Sequence, residues 1–487
     1  MNCIPVIGRI SFGARNEKRL DYSKRSITMR GSLDLAATRR EAFRLGGAGI
    51  AGYWFAPLLS PKDVRAAAKV SPRGTARFCI FLMLDGGQSH VDAWDLKEGK
   101  WTPPNFDVKE IRPGVKWPMA LYPRLASQLD RVTLARSVET WDAVHGRAQY
   151  YVQAAHALNP ALQKEIPPVG SVVAMEMTAR RRPGDTLPPY VALNVTQSQA
   201  GLLKSGFLPA SYSPFHVDTS SSMSAYSLDR ENQADFHRRW QLLKSFDARL
   251  RNDNSLAAKA YHDYNDHYEG AVRLMSDPRA AALFKIAPEE HKRYGETITG
   301  DACVLARNIV EADAGTNFIF LQQNGWDHHK DIYDAKNHYR LSMDLDNALA
   351  SLLADLGERK RKDGRSLLDE TLVICMGEFG RTPGDLTGLK GRDHYQKAMT
   401  TLFAGGGVKG GRIVGKTDET GAKVVESGWE VKRSIFMEDI ATTIYSAMGI
   451  DWTKTVRATP SGREFFYVEP FAAQGYVANR EISPLFV

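Results

Sequence analysis

A chain of 487 residues with 43% hydrophobic and 25% charged residues has the make-up of a globular protein and can bury a large core, as one large α/β unit or as two domains. Its formal charge of +8 sits at the start: residues 1–68 hold 12 Lys or Arg and 5 Asp or Glu, a surplus of 7, which leaves 8 − 7 = +1 for the rest. That distribution, with no basic tract interleaved with aromatics in the body, speaks against nucleic-acid binding, and the lack of an apolar run of about 18 residues after the amino-terminal region excludes a multi-span membrane protein.

The first segment in chain order is a twin arginine, Arg39 and Arg40, followed by an apolar, glycine-rich run over 45–59 and by Ala66, Ala67 and Ala68. The run is too short and too rich in glycine for a comfortable membrane span, and the alanines suit a signal peptidase. Residues 1–68 are therefore expected to be a signal segment read by the twin-arginine translocation machinery, with Met29 as an alternative start that gives a leader of conventional length. That route carries folded proteins, often with a metal or cofactor already inserted. The mature chain is expected in the periplasm or elsewhere outside the cytoplasm, with no membrane span of its own.

From residue 69 onward, apolar runs alternate with helical segments. Strands are predicted over 77–84, 131–138, 190–195, 317–323, 371–376 and 400–404, with helices between them, the pattern of a mainly parallel sheet covered on both faces. Residues 69–487 are read as one such α/β domain. The clearest helix is expected over 331–360, where Leu345, Leu349, Leu352 and Leu356 share a face. A charged stretch over about 230–295 carries few strand signals and reads as a helical insertion; in it, His262 and His267 beside Asp263 and Asp266 read as a solvated helix face. Cys3, Cys79, Cys303 and Cys375 are far apart without C-x-x-C spacing, which argues against a disulfide framework or a thiolate zinc site.

Ligands of open α/β sheets collect outside the carboxyl ends of the strands, so polar residues just beyond each strand are the candidates for chemistry. The first strand runs into L-D-G-G-Q-S-H-V-D, with Asp85, Ser89, His90 and Asp92. The strand at 317 runs into Q-Q-N-G-W-D-H-H, with Asp327, His328 and His329, and the strand at 371 runs into M-G-E-F-G-R-T-P, with Glu378 and Arg381. G-R-D-H-Y, with Arg392, Asp393 and His394, stands before the last strand. Carboxylates and imidazoles gathered at one edge suit a divalent cation such as zinc or manganese. One Asp after a strand is commonly a helix cap, but four such motifs on one sheet edge argue for a site. The tandem His328-His329 cannot aim both rings the same way. Gly86-Gly87 lacks the spacing of a phosphate cradle and reads as a tight turn that lets backbone approach the site. Ser89 reads equally as an activated nucleophile or as the cap of the next helix.

These motifs, together with the later G-G-G-V-K-G-G-R-I-V-G-K-T-D and E-D-I-A-T-T-I-Y-S-A-M-G-I-D, resemble in order and over about 75–455 the bacterial family of unknown function numbered 1501. That family is placed in the alkaline phosphatase and sulfatase clan. The resemblance implies an alkaline-phosphatase-like three-layer α/β/α sandwich with a mainly parallel central sheet, and a hydrolase that clamps its ester between two cations about 4 Å apart. By position it implies Asp85, Asp327, His329, Glu378 and His394 as metal ligands, for zinc or else manganese or calcium, and Arg381 or Arg392 as a clamp on the anion. The chain departs from the clan in three places: only Glu378 follows the strand at 371, where an Asp-His pair is expected; no C-x-P-x-R segment supplies a formylglycine; and no D-S-A segment supplies a phosphatase serine.

Two functions follow as expectations. The first is an exported metal-dependent hydrolase of phosphate or sulfate esters, acting on a small-molecule or glycan ester, with Ser89 or water as nucleophile and Arg381 at the anion. The alternative is a non-catalytic extracytoplasmic protein of the same fold that binds a ligand or glycan. Convergence of Asp327, His329, Glu378 and His394 would separate them, because metal ligands must meet and unrelated caps need not.

Overall fold

The apolar run at Phe78–Leu84 forms strand β1, and every residue of it is buried, as a central strand covered on both faces must be. The computed structural model describes residues 70–195, 198–220, 230–248, 259–469 and 480–487. The expected leader, 1–68, lies outside the described residues. Residues 70–487 form one compact unit.

The remaining strands of the main sheet are β2 (Val132–Val138), β3 (Tyr190–Leu193), β4 (Phe215–Val217), β5 (Phe318–Gln323), β6 (Thr371–Gly377), β7 (Met399–Ala404) and β8 (Arg412–Val414). They lie in the order β8-β2-β7-β6-β1-β5-β3-β4. Strand β7 runs against both of its neighbours, and every other pairing is parallel. All six predicted strands are present to within two residues. Strand β3 stops at Leu193 because Asn194 turns to φ +60. The two strands not foreseen, β4 and β8, are three-residue edge strands.

The principal helices are α1 (His145–Ala154), α2 (Val169–Met177), α3 (Arg230–Phe246), α4 (Lys259–Ser276), α5 (Ile298–Ala312), α6 (Arg340–Glu358) and α7 (Met437–Ala447). The period-two alternation of β1 divides it between two cores. Ile80, Leu82 and Leu84 pack with Cys303 and Ile309 of α5 and with Leu345, Leu349, Leu352 and Leu356 of α6. Cys79, Phe81 and Met83 pack with Val169, Val172 and Val173 of α2 and Ile440 and Ile444 of α7. The result is a three-layer α/β/α sandwich around a mainly parallel sheet.

The helix expected from 331 begins only at Arg340. Asp331 is left-handed (φ +43), which no helical residue adopts, and the turn that precedes Arg340, Ala335–Tyr339, is a π-helix broken at Asn337 (φ −101, ψ −113). The stretch around 230–295 is helical where described: α3, α4 and two short helices, Pro278–Leu283 and Pro288–Arg293. His262 lies in α4, and the side chains of Asp263, Asp266 and His267 lie outside the described residues. Among the described residues no helix is long and apolar enough to cross a membrane.

Candidate metal centre

The reversed direction of β7 decides where the site is built. The G-R-D-H segment precedes β7, yet because β7 alone runs backwards, its amino end lies at the edge where β1, β5 and β6 present their carboxyl ends. His394 is pinned there by a two-residue antiparallel ladder, Gly380–Arg381 against His394–Tyr395. Past β5, Trp326 is buried, its backbone N–H donating to Asp85 O at 3.0 Å and its indole to Gln323 Oε1 at 3.2 Å. That anchor leaves Asp327 facing solvent and His328 facing inward. Burial of His328 depresses its pKa to about 3, so this imidazole is neutral and the tandem histidines do diverge. At the end of β1, Gly86 has φ +106, and a Cβ there would lie 2.4 Å from Asp327 N. Only glycine allows that approach, as the tight-turn reading of Gly86-Gly87 expects.

His145, Asp327, His329 and His394 bring one ligand atom each within 4.8 Å of one another. His329 Nε2 and His394 Nε2 lie 3.0 and 3.2 Å from Asp327 Oδ1, His145 Nε2 lies 3.2 Å from Asp327 Oδ2, and the two Nε2 atoms of His329 and His394 are 2.9 Å apart. The far nitrogen of every ring is tied to an acceptor. Nδ1–H donates from His145 to Glu378 Oε1 (2.8 Å), from His329 to Asp393 Oδ1 (2.8 Å) and from His394 to the carbonyl of Ala143 (2.7 Å). Partners that only accept fix each proton on Nδ1, so a neutral ring turns the lone pair of Nε2 toward Asp327. The buried Nε2 of His145 has no aligned hydrogen-bond partner. Two lone pairs facing each other at 2.9 Å and a third orphaned beside them are repulsive unless a proton or a cation sits between them, so these residues fit a cation.

Without a cation, charge is balanced by protons. Burial would lower the pKa of His145, but the carboxylates of Asp327 and Glu378 beside it outweigh that and raise it to about 9. Burial would raise that of Asp327, but His145, His394 and Arg381 hold it far below the usual carboxylate range. Asp85 is pushed up to about 7, by burial first and by Glu378 second.

Of the residues predicted from sequence, Asp327, His329 and His394 meet in this candidate group. Glu378 and Asp85 lie alongside rather than in the group. Glu378 is fully buried and accepts from Gly86 N–H (2.9 and 3.1 Å) as well as from His145. Asp85 accepts from Gln149 Nε2 at 2.5 Å. Arg381 is engaged on all sides: it donates to Gly87 O (3.0 Å), Arg392 O (2.9 Å), Gly86 O and Asp327 Oδ1 (2.5 Å). Arg392 is equally occupied, with Asp92 (2.6 and 3.1 Å), Thr382 O and Gly384 O. Ser89 is buried at the start of the short turn His90–Asp92 but caps no backbone N–H; its Oγ–H donates to Asp92 Oδ2 at 2.6 Å. The site residues sequence reasoning missed are His145 and Gln149. His145 opens α1 seven residues past the end of β2, too far along for a search confined to the residue after each strand, although D-A-V-H lies at the same sheet edge.

The chain belongs to the family described as "Protein of unknown function (DUF1501)", which matches residues 76–472. No curated protein matches it. Among solved structures it is similar to a protein in the alkaline phosphatase superfamily from Vibrio parahaemolyticus, at 11% identity over 78% of this chain and 69% of that one with a TM-score of 0.33. It is similar also to the zinc complex of the C-terminal periplasmic domain of EcEptC from Escherichia coli, at 10% identity over 86% and 96% with a TM-score of 0.34. A third likeness is to a phosphonate monoester hydrolase from Silicibacter pomeroyi, at 13% identity over 77% and 74% with a TM-score of 0.30. Similarity this low leaves activity to be argued from the site itself.

Proposed function

We propose that the chain is an exported metal-dependent hydrolase of phosphate or sulfate esters, with His145, Asp327, His329 and His394 as the ligands of one divalent cation. The observation that carries this reading is the convergence of three Nε2 atoms on one carboxylate while every Nδ1–H is held by an acceptor. Three imidazoles and a carboxylate suit zinc, and suit manganese or calcium less well because those ions favour oxygen. A cation held there supplies a Lewis acid for ester oxygens.

The protein's own residues would do the rest. Glu378 and Asp393 fix ring orientation, Arg381 positions Asp327 and the Gly86-Gly87 turn, and Asp85, accepting from Gln149, lies alongside the group. Water is favoured over Ser89 as nucleophile, because the Ser89 proton is committed to Asp92. One observation favours the alternative of a non-catalytic ligand- or glycan-binding protein: Arg381 and Arg392 are both engaged with protein acceptors, which leaves neither guanidinium free to clamp an anion at the cation.

Elemental analysis of the purified protein is the deciding experiment. About one equivalent of a transition metal, lost in His329→Ala and in His145→Ala, is the expected result; a wild type prepared without chelator and found free of metal would end the hydrolase reading. The export route belongs to the same proposal: an Arg39→Lys/Arg40→Lys variant should accumulate in the cytoplasm, and unchanged export would remove the twin-arginine assignment.

A further inference from the structure

A cleft of about 750 Å³ lies against the outer side of the first turn of α1. Val144 and Gly146, which flank the ligand His145, line it, and so does Ala200, whose N–H donates to Gln149 Oε1 at 3.1 Å. Gln149 in turn reaches Asp85 through its Nε2. The residues that line this cleft are thus next in sequence to His145 and one hydrogen bond from Gln149, although none of the four candidate ligands lines it.

Two properties of the lining set its chemistry. Val144, Leu158, Ile166, Leu202 and Leu203 make an apolar body for it, and its charged residues are Arg147, Lys164 and Lys204, with no acid among them. Of the acids nearby, Asp142 pairs with Arg147 (3.1 Å) and so offsets that one lining charge, and Glu165 accepts from Ser461 Oγ (2.8 Å). Glu469, exposed, acts on the hydroxyl of Tyr150. Lys164 and Lys204 are exposed and form no ion pair among the described residues. Tyr150 also lines the cleft; it is 3% exposed, and its hydroxyl has no hydrogen-bond partner. Unpaired ammonium groups over an apolar floor attract an anion that has an apolar body.

We propose that this cleft receives the non-reacting part of the ester and that this part is an amphipathic anion, an aryl-sized apolar body with an acidic group of its own. The inference rests on the hydrolase reading for the role of the neighbouring site, and it answers what the engaged arginines leave open, namely which cations draw an anionic molecule to this edge of the sheet. Electrostatic attraction of this kind raises affinity and association rate at low salt.

The test uses naphthalene-2-sulfonate, an aryl anion with no ester to cleave, titrated calorimetrically into the full chain at low salt. Wild type is expected to bind it, His329→Ala to bind it equally, and the charge-reversed Lys164→Glu/Lys204→Glu protein to bind it at least about tenfold more weakly, since two ammonium groups have become carboxylates. The neutral 2-naphthalenemethanol should not distinguish wild type from the double variant. Both lysines are exposed, so the reversal leaves the fold intact, and metal content in the double variant should equal that of wild type. Equal binding of the sulfonate to wild type and double variant, or no binding by wild type, overturns the proposal. Failure of the hydrolase reading shows itself separately, as a metal-free wild type, whatever the sulfonate does.

Discussion

Asp327 and Asp92 stand at the same sheet edge, and each is held by an arginine from the segment 380–394, yet they form opposite kinds of centre. Asp92 is fully buried and meets only groups that bring a hydrogen: Arg392 at 2.6 and 3.1 Å, Ser89 Oγ–H at 2.6 Å and Tyr333 Oη–H at 2.7 Å. Asp327 takes one such donor, Arg381 at 2.5 Å, and then faces three imidazoles whose protons are anchored on the far side. The first carboxylate is saturated by protons of the protein and has nothing left to bind. The second, where its imidazoles are neutral, is surrounded by lone pairs, a set that a cation would complete. What distinguishes a structural network from a ligand site is therefore where the protons are held, and Glu378, Asp393 and Ala143 O decide that for the site without belonging to it.

The largest effect that tests this contrast falls on the saturated side. Asp92→Ala leaves Arg392, fully buried, without its counter-charge, and breaking a buried pair in this way costs about 3–5 kcal/mol. Urea unfolding should show that loss while the metal content of the folded protein stays at the wild-type level. A loss under about 1 kcal/mol, typical of an exposed pair, would mean that the Asp92 network is not closed, and the contrast would fall.

The next effect is on the open side. Glu378→Gln keeps a similar shape but removes the charge that orients His145 and strengthens its Nε2 as a donor. Loss of such an outer hydrogen-bond partner weakens metal binding by about 10–100-fold. Competition against a calibrated chelator measures it, and an unchanged affinity would show that His145 does not hold the metal.

Much of this was legible in the chain because the strands that build the site are central. A run such as Phe78–Leu84, buried on both faces, can be written only in apolar residues, and the polar motif that interrupts it marks its end. Strands β4 and β8 carry no such signal, since at an edge three residues suffice and burial is incomplete, as the exposed Arg412 and Ile413 show. Asp327, His329 and His394 were readable because each stands within a motif beside a central strand. His145 was not, because its place depends on a loop of tertiary origin, whose Ala143 carbonyl is fixed by His394. The engagement of Arg381 and Arg392 was hidden for a related reason. Their partners are mostly backbone carbonyls, Gly86 O, Gly87 O, Thr382 O and Gly384 O among them, and carbonyl positions leave no trace in residue types.

The smallest expected effect bears on the one residue that belongs to both readings. If Ser89 serves the Asp92 network, Ser89→Ala removes a single hydrogen bond from a carboxylate that keeps Arg392 and Tyr333, and stability should fall by about 1 kcal/mol, toward the upper side of that because the acceptor is charged. Hydrolysis of any ester the wild type turns over should continue, since the group lost does not touch the cation ligands. If Ser89 is instead the nucleophile, the same variant should keep nearly all of its stability and metal and lose turnover. Release of the Ser89 proton would then have to pass to Asp92, whose carboxylate is held below its usual pKa: burial would raise it, but the Arg392 charge prevails. A carboxylate made less basic in this way is a weaker acceptor for that proton, which is the physical ground for expecting the modest structural effect.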